Sequence, residues 1–198
     1  MRKLCSILVA VVLSAAFVSC GPSAEKIKAV QDAYASLVEL INETTEFVDG
    51  ASAQNLITQE EIDEYNQMVD AVNELGEVDL QKSSNAELDA TLASINEMKA
   101  EVSQLKSVLF ITFVQNAYAN LVNLVNETTE LVDAASAQNL ITQEDIDEYN
   151  VMVEAVNQLG EVGLDQVSDS ELDSVFGSIN EMTAEVSKLN VFLQGALL

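Results

Sequence analysis

The chain has 198 residues, with Lys+Arg 8 against Asp+Glu 33, no His, no Trp and a formal net charge of −25. Such a charge excludes nucleic acid and anionic lipid headgroups as expected partners, because holding phosphates requires clustered cations. Without His, and with two cysteines near the start of the chain, the usual transition-metal ligand sets and an internal disulfide framework are absent.

The first residues read as an address. Arg2 and Lys3 form a short positive region, and Leu4 to Val18 is an apolar core with small polar interruptions. That core is shorter than the ~20 residues a spanning helix needs and has the length of a signal peptide. It ends Ala16-Phe17-Val18-Ser19-Cys20-Gly21. A small residue directly before Cys at the end of such a core resembles the lipobox of bacterial lipoproteins, with Phe17 standing where Leu is usual. The resemblance covers the first 21 residues. It implies removal of a signal peptide over residues 1–19, diacylglycerol on the Cys20 sulfur and acylation of the new amino group. Two or three acyl chains make a durable anchor, whereas one myristoyl-length chain holds marginally. Residues 20–24 then form a lipid-anchored tether. The alternative is an ordinary secretory signal with an incidental cysteine.

Beyond the tether the chain is duplicated. Gln31 to Leu105 matches Gln115 to Leu189 without a gap, a period of 84 residues, and ASAQNLITQE occurs unchanged at 51 and at 135. A repeat of this length can be a folding unit in its own right, so residues 25–109 and 110–198 are expected to form two units.

Each unit reads as three helices. The first carries Ile27, Val30, Tyr34, Leu37, Ile41, Thr44, Val48 and Ala51, returning as Ile111, Val114, Tyr118, Leu121, Val125, Thr128, Val132 and Ala135. Their alternating three- and four-residue steps place them on one face of a coiled-coil-like helix. Asn55 suits a left-handed C-cap. Thr58 with Glu61, and Thr142 with Asp145, form capping boxes that start the second helix, with Ile57–Ile62 and Ile141–Ile146 as hydrophobic staples. Gly76 and Gly160 are expected to supply the stop. Ser84 with Glu87, and Ser168 with Glu171, open the third helix. There Leu92-Ala93 becomes Phe176-Gly177 in the second copy, a pattern that suggests volume compensation in packing.

From Ser84 to Asn139 there is neither Pro nor Gly. Lys26, Lys28 and Ala29 correspond to Phe110, Thr112 and Phe113, so the start of the second unit is apolar nearly all round. A helix shared by both bundles needs that pattern. The expected architecture is therefore all-α: two tandem three-helix bundles sharing a long continuous central helix, rod-like. About 55 residues at ~1.5 Å each give roughly 80 Å. This resembles tandem spectrin repeats in architecture alone, with a shorter period. Two alternatives are a strand over Val108 to Val114, which is rich in β-branched and aromatic residues, and a break there with the bundles side by side.

The chemistry of catalysis is missing: no nucleophile–base pair can be assembled without His and with an acylated Cys20. Glu60, Asp63 and Glu64 share an exposed helix face. QEDIDEYN at 143 lacks the Gly of a calcium loop. Asn42-Glu43-Thr44 and Asn126-Glu127-Thr128 match the glycosylation sequon. No catalytic residue, cofactor or metal is expected; Cys20 is the lipid-attachment site. The function expected is that of a non-enzymatic lipoprotein of the bacterial envelope, tethered to the membrane, serving as an acidic spacer or protein-binding module. The alternative is a carrier of a small apolar ligand between its helices. Small-angle scattering is expected to report an elongated particle, and a compact one would overturn the rod.

Overall fold

The structure, a computed structural model, describes residues 21–164 and 167–198. The protein is all-α, with helices α1 (Ala24–Ala53), α2 (Gln59–Gly76), α3 (Asn85–Ala137), α4 (Gln143–Gly160) and α5 (Asp169–Ala196), and no strand among the described residues. The chain divides into two compact units, Met1–Leu109 and Phe110–Leu198. The apolar stretch Val108 to Val114 is helical, so α3 crosses the division uninterrupted. A strand there would leave its backbone groups without a sheet to join, whereas the helix satisfies them within itself.

In unit 1 the helices run up, down and up. Ser23 N–H donates to Asn85 Oδ1 at 2.9 Å, Lys99 Nζ to Ser36 Oγ at 2.9 Å and Lys106 Nζ to Glu43 Oε2 at 2.6 Å. These separations stay at 62 or 63 residues, so α1 and the first part of α3 are parallel and in step. The α2 helix returns antiparallel between them: Tyr65 reaches Ile41, while Gly76 reaches Tyr34. The core holds Ile27, Val30, Leu37, Ile41, Val48 and Ala51 of α1, Tyr65 and Val72 of α2, and Leu88, Ile95, Met98, Val102 and Leu109 of α3. Thr44 is also fully buried, and its hydroxyl donates to the Leu40 carbonyl at 2.7 Å. Back-bonding of this kind lets a threonine occupy a core position without an orphaned polar group.

Unit 2 repeats the plan by itself. One cluster joins Val114, Leu121 and Val125 of α3 to Val156 of α4 and Leu172, Ile179 and Val186 of α5. A second joins Val132, Ala135, Tyr149 and Leu193. Asn190, which stands where unit 1 has Lys106, is buried and donates to the Thr128 hydroxyl at 2.9 Å. Lys106 itself stays nearer the surface, bonded to Glu43 and with its ammonium 5.9 Å from the Phe47 ring centroid.

Two rows of buried positions on α3 step by seven, first Leu88, Ile95, Val102 and Leu109, then Val114, Leu121, Thr128 and Ala135, with Met98, Val125 and Val132 buried beside them. Between Leu109 and Val114 the step is five.

The caps follow the sequence closely. Thr58 and Thr142 accept from the N–H of Glu61 and Asp145, whose carboxylates reach back to the cap N–H at 2.8 Å in each case. Ser84 with Glu87, and Ser168 with Glu171, do the same. Asn55 (φ 56°) and Asn139 (φ 55°) are the left-handed caps. The N–H of Leu56 bonds to Ala51 O at 2.9 Å and that of Asn55 to Ser52 O at 3.0 Å, the paired bonds of a Schellman ending. Ile141 and Ile146 both pack on the Tyr149–Leu193 cluster, as a staple requires.

Volume compensation at Phe176-Gly177 is not what the structure contains. Phe176 packs edge-to-face on Phe110 with ring centroids 6.0 Å apart. Gly177 faces open space, with nothing within 4 Å of where its Cβ would stand. The bulk of Phe176 answers Phe110, which replaces Lys26 of the first copy, and Gly177 is incidental. Gly177→Ala is therefore expected to raise stability by about 1 kcal/mol, read as a higher denaturation midpoint; a lower midpoint would reveal a contact the structure lacks.

Four ion pairs, each with an exposed member, occur among the described residues: Lys26–Asp89, Lys28–Asp32, Lys82–Asp79 and Lys106–Glu43. Such pairs contribute little, while a net charge of −25 opposes the compact state by self-repulsion. Added salt screens that repulsion, so the melting temperature is expected to rise with ionic strength. A fall would mean the ion pairs outweigh the repulsion.

Candidate functional site

A half-open cleft occurs in the same place in each unit. In unit 1 it lies between Val30 and Tyr34 of α1, Leu75 and Gly76 at the end of α2, the loop at Val78 to Gln81, and Ile95 of α3, with a volume of about 290 Å³. In unit 2 it is lined by Val114, Tyr118, Leu159, Gly160, Leu164 and Ile179, among others, with a volume of about 550 Å³. Gly163 replaces Asp79 on the second rim, removing a charged side chain. Asp79 forms an ion pair with Lys82 at 2.6 Å. The hydrogen bond from Lys82 holds the Asp79 carboxyl below its usual range, and the same bond raises Lys82.

The floor of each cleft depends on a glycine. A Cβ on Gly76 would stand 2.3 Å from the Tyr34 hydroxyl oxygen, and one on Gly160 2.2 Å from that of Tyr118. Neither glycine has positive φ, and the residues that cap α2 and α4, Glu77 and Glu161, are right-handed. The helices do end at these glycines, as expected, but with right-handed caps, and each glycine is also required because a phenol lies against its bare backbone. Tyr34 and Tyr118 are half-buried, their rings between core and cleft.

The other two tyrosines are interior pins. Tyr65 Oη donates to the Ile41 carbonyl at 2.8 Å and lies 2.7 Å from the Thr45 hydroxyl. Tyr149 does the same with Val125 at 2.7 Å and Thr129 at 2.8 Å. Burial pushes both phenols above their ordinary value of 10.0, helped by Asp49 and Asp133, while the threonine hydrogen bond offsets part of the rise. Near neutrality they act as neutral donors to the backbone.

The carboxylates with a resolved shift go the other way. Backbone and side-chain hydrogen bonds from Ser84 lower Glu87, and the cap hydroxyl and N–H lower Asp145 and Glu171. These acids are held ionised at helix starts, suited to capping and unsuited to proton transfer near neutrality. No group of three or more His, Cys, Asp or Glu residues that could hold a metal occurs among the described residues. No described buried side-chain nitrogen or oxygen lacks a hydrogen-bond partner.

Cys20, the expected lipid-attachment site, lies outside the described residues. Asn42 and Asn126 of the two sequons are exposed in mid-helix, but their threonines, Thr44 and Thr128, are fully buried and bonded to carbonyls. QEDIDEYN lies in α4 as regular helix. The α3 helix is long and apolar enough to cross a membrane by length and composition, with a window of mean hydropathy 1.4. Its residues Leu109, Val114, Leu121 and Val125 are nonetheless buried in the cores. Among the exposed apolar residues, Val151 is 69% exposed, Val191 69% and Phe192 62%. Comparison of the two copies is the signal that finds them.

Compared with known family models, with curated proteins and with solved structures, the chain matches none of them.

Gly76→Ala and Gly160→Ala each force a tyrosine out of its seat and are expected to lower stability by about 1–3 kcal/mol, opposite in sign to Gly177→Ala. A neutral result in chemical denaturation would show that the tyrosine swings away freely. The raised phenols have a pH consequence. Their contribution to stability is complete below the unfolded value near 10.0 and is lost as pH rises through the higher folded value. Absorbance titration should resolve two late-titrating tyrosines, and unfolding should set in as they ionise; Tyr65→Phe should remove one late step.

Proposed function

We propose that this protein is a lipid-anchored, non-enzymatic module of the bacterial cell envelope. In this reading Cys20 carries the acyl chains and the two acidic three-helix units engage a protein partner or hold one at a distance from the membrane. The observation that carries the reading is the contrast between interior and surface. The two units bury equivalent residues almost position for position, and their buried polar groups are used up in internal hydrogen bonds. What remains available for work is the surface, and it is strongly acidic. Two linked units allow avidity toward a repeating or dimeric partner.

The address is tested by feeding cells a clickable palmitate analogue. Label on the wild type that disappears in Cys20→Ala is the expected result. Mature protein without label would overturn the anchor. The module is tested by pull-down from envelope extract with the mature chain, comparing wild type with a chain lacking residues 110–198. A partner lost with the second unit supports an adaptor.

The clefts favour a second reading, a carrier of a small apolar ligand. The volume of about 550 Å³ in unit 2 falls within the ~300–1,000 Å³ of ordinary ligand pockets. Native mass spectrometry separates the two readings: a co-purified lipid-sized adduct, lost in Gly160→Leu, supports the carrier.

A further inference from the structure

We propose that the cleft of unit 2, and not that of unit 1, binds an uncharged, mainly apolar small molecule that presents one acceptor oxygen to the Tyr118 hydroxyl. The inference rests on the carrier reading above and names which cleft is used and what chemistry it selects. It starts from a division among the tyrosines. The hydroxyls of Tyr65 and Tyr149 are spent on the carbonyls of Ile41 and Val125. Those of Tyr34 and Tyr118 make no hydrogen bond among the described residues, yet no described buried side-chain oxygen lacks a partner. Both hydroxyls are therefore reached from solvent, and each tyrosine lines its cleft. A donor left open beside an apolar wall is the kind of polar group that orients a ligand in a pocket.

The two clefts are not equivalent. Most lining positions recur at the period of the duplication, but two exchanges alter the wall. Asp79 becomes Gly163 and Lys82 becomes Gln166, so the ion pair on the rim of unit 1 has no counterpart in the sequence of unit 2. Thr91, whose hydroxyl turns back on the Glu87 carbonyl at 2.9 Å, becomes Val175, which joins the lining. The volume is about 290 Å³ in unit 1 and about 550 Å³ in unit 2. Ligand pockets start at roughly 300 Å³, so the first cleft falls just short and the second is well inside the range.

The wall also selects the charge. None of the described residues lining the second cleft is charged, and its polar side chains are those of Gln115, which is exposed, and Tyr118. A charged ligand would leave water without an opposite charge to meet it, which is costly. An uncharged one gains from burying apolar surface against Val114, Leu159, Leu164, Val175 and Ile179. Its carbonyl, ether or hydroxyl oxygen then accepts from Tyr118.

The test uses the mature chain with Cys20→Ser, so no acyl chain of its own competes for the cleft. Four probes share one ring system: naphthyl methyl ketone, ethylnaphthalene, naphthoate and naphthylmethylammonium. Binding is followed by amide shifts in a titration. The two neutral probes are expected to bind more tightly than either ion, and to shift amides around Tyr118, Gly160 and Leu164 while those around Tyr34, Gly76 and Leu80 stay in place. Tyr118→Phe keeps the ring on Gly160 and is expected to weaken the ketone by roughly threefold to tenfold with the hydrocarbon unchanged, a split that loss of structure would not produce. Gly163→Asp, which gives unit 2 the acid of the unit 1 rim, should weaken both neutral probes. The proposal is overturned by ketone binding indifferent to Tyr118→Phe or to Gly163→Asp, by tightest binding of the carboxylate or the ammonium, by equal shifts in unit 1, or by no shift with any probe. The carrier reading is judged separately, on the co-purified adduct. An adduct lost in Gly160→Leu, with ketone binding indifferent to Tyr118→Phe, sinks this assignment and leaves the carrier standing; ketone binding as expected without any adduct does the reverse.

Discussion

Two rows of buried residues along α3, each at a seven-residue step, are the constraint on which the rest of the structure depends. Leu88, Ile95, Val102 and Leu109 serve one core, and Val114, Leu121, Thr128 and Ala135 the other. The step between Leu109 and Val114 is five. The bundle order, the position of each loop and the level at which every other helix packs are referred to these two rows. In unit 1 the parallel pair is held in step by hydrogen bonds at separations of 62 and 63 residues, in unit 2 Asn190 bonds Thr128, and in each unit the antiparallel helix is pinned by a tyrosine hydroxyl on a backbone carbonyl.

The interiors are economical in polar chemistry. Thr44 and Thr128 turn their hydroxyls back on their own helix, and Asn190 finds Thr128. Tyr65 and Tyr149 stay neutral because burial penalises the phenolate. The acids with lowered values are those fixed at helix starts by hydrogen bonds. Of these groups, the two phenols pin helices and the three acids cap them.

The copies provide an internal control that a single domain does not. Where both need a residue for packing, it recurs: Tyr34 and Tyr118 over Gly76 and Gly160, Tyr65 and Tyr149 on Ile41 and Val125. Where they differ, the difference has a local cause in some places and none in others. Phe110 in place of Lys26 is answered by Phe176. Asn190 in place of Lys106 exchanges a surface ion pair for a buried hydrogen bond. Val151, Val191 and Phe192 have no such answer inside the unit.

The sequence by itself determined the helices, their caps and nearly every core position. Period, capping boxes and left-handed asparagines are local features, and local hydrogen bonding enforces them whatever packs nearby. It favoured a helix through Val108 to Val114, since Ser84 to Asn139 holds neither Pro nor Gly, but a strand or a break there stayed open until the structure showed α3 uninterrupted. Only the tertiary structure decided the reason for Gly76 and Gly160, since the tyrosine that rests on each lies about forty residues away in the chain. It likewise decided that Tyr34 and Tyr118 line clefts while Tyr65 and Tyr149 do not, and that Gly177 faces open space. All four tyrosines fall on the same apolar stripes in sequence. Periodicity says which side of a helix turns inward, but what a side chain meets there depends on the length of the neighbouring helix and where it stops.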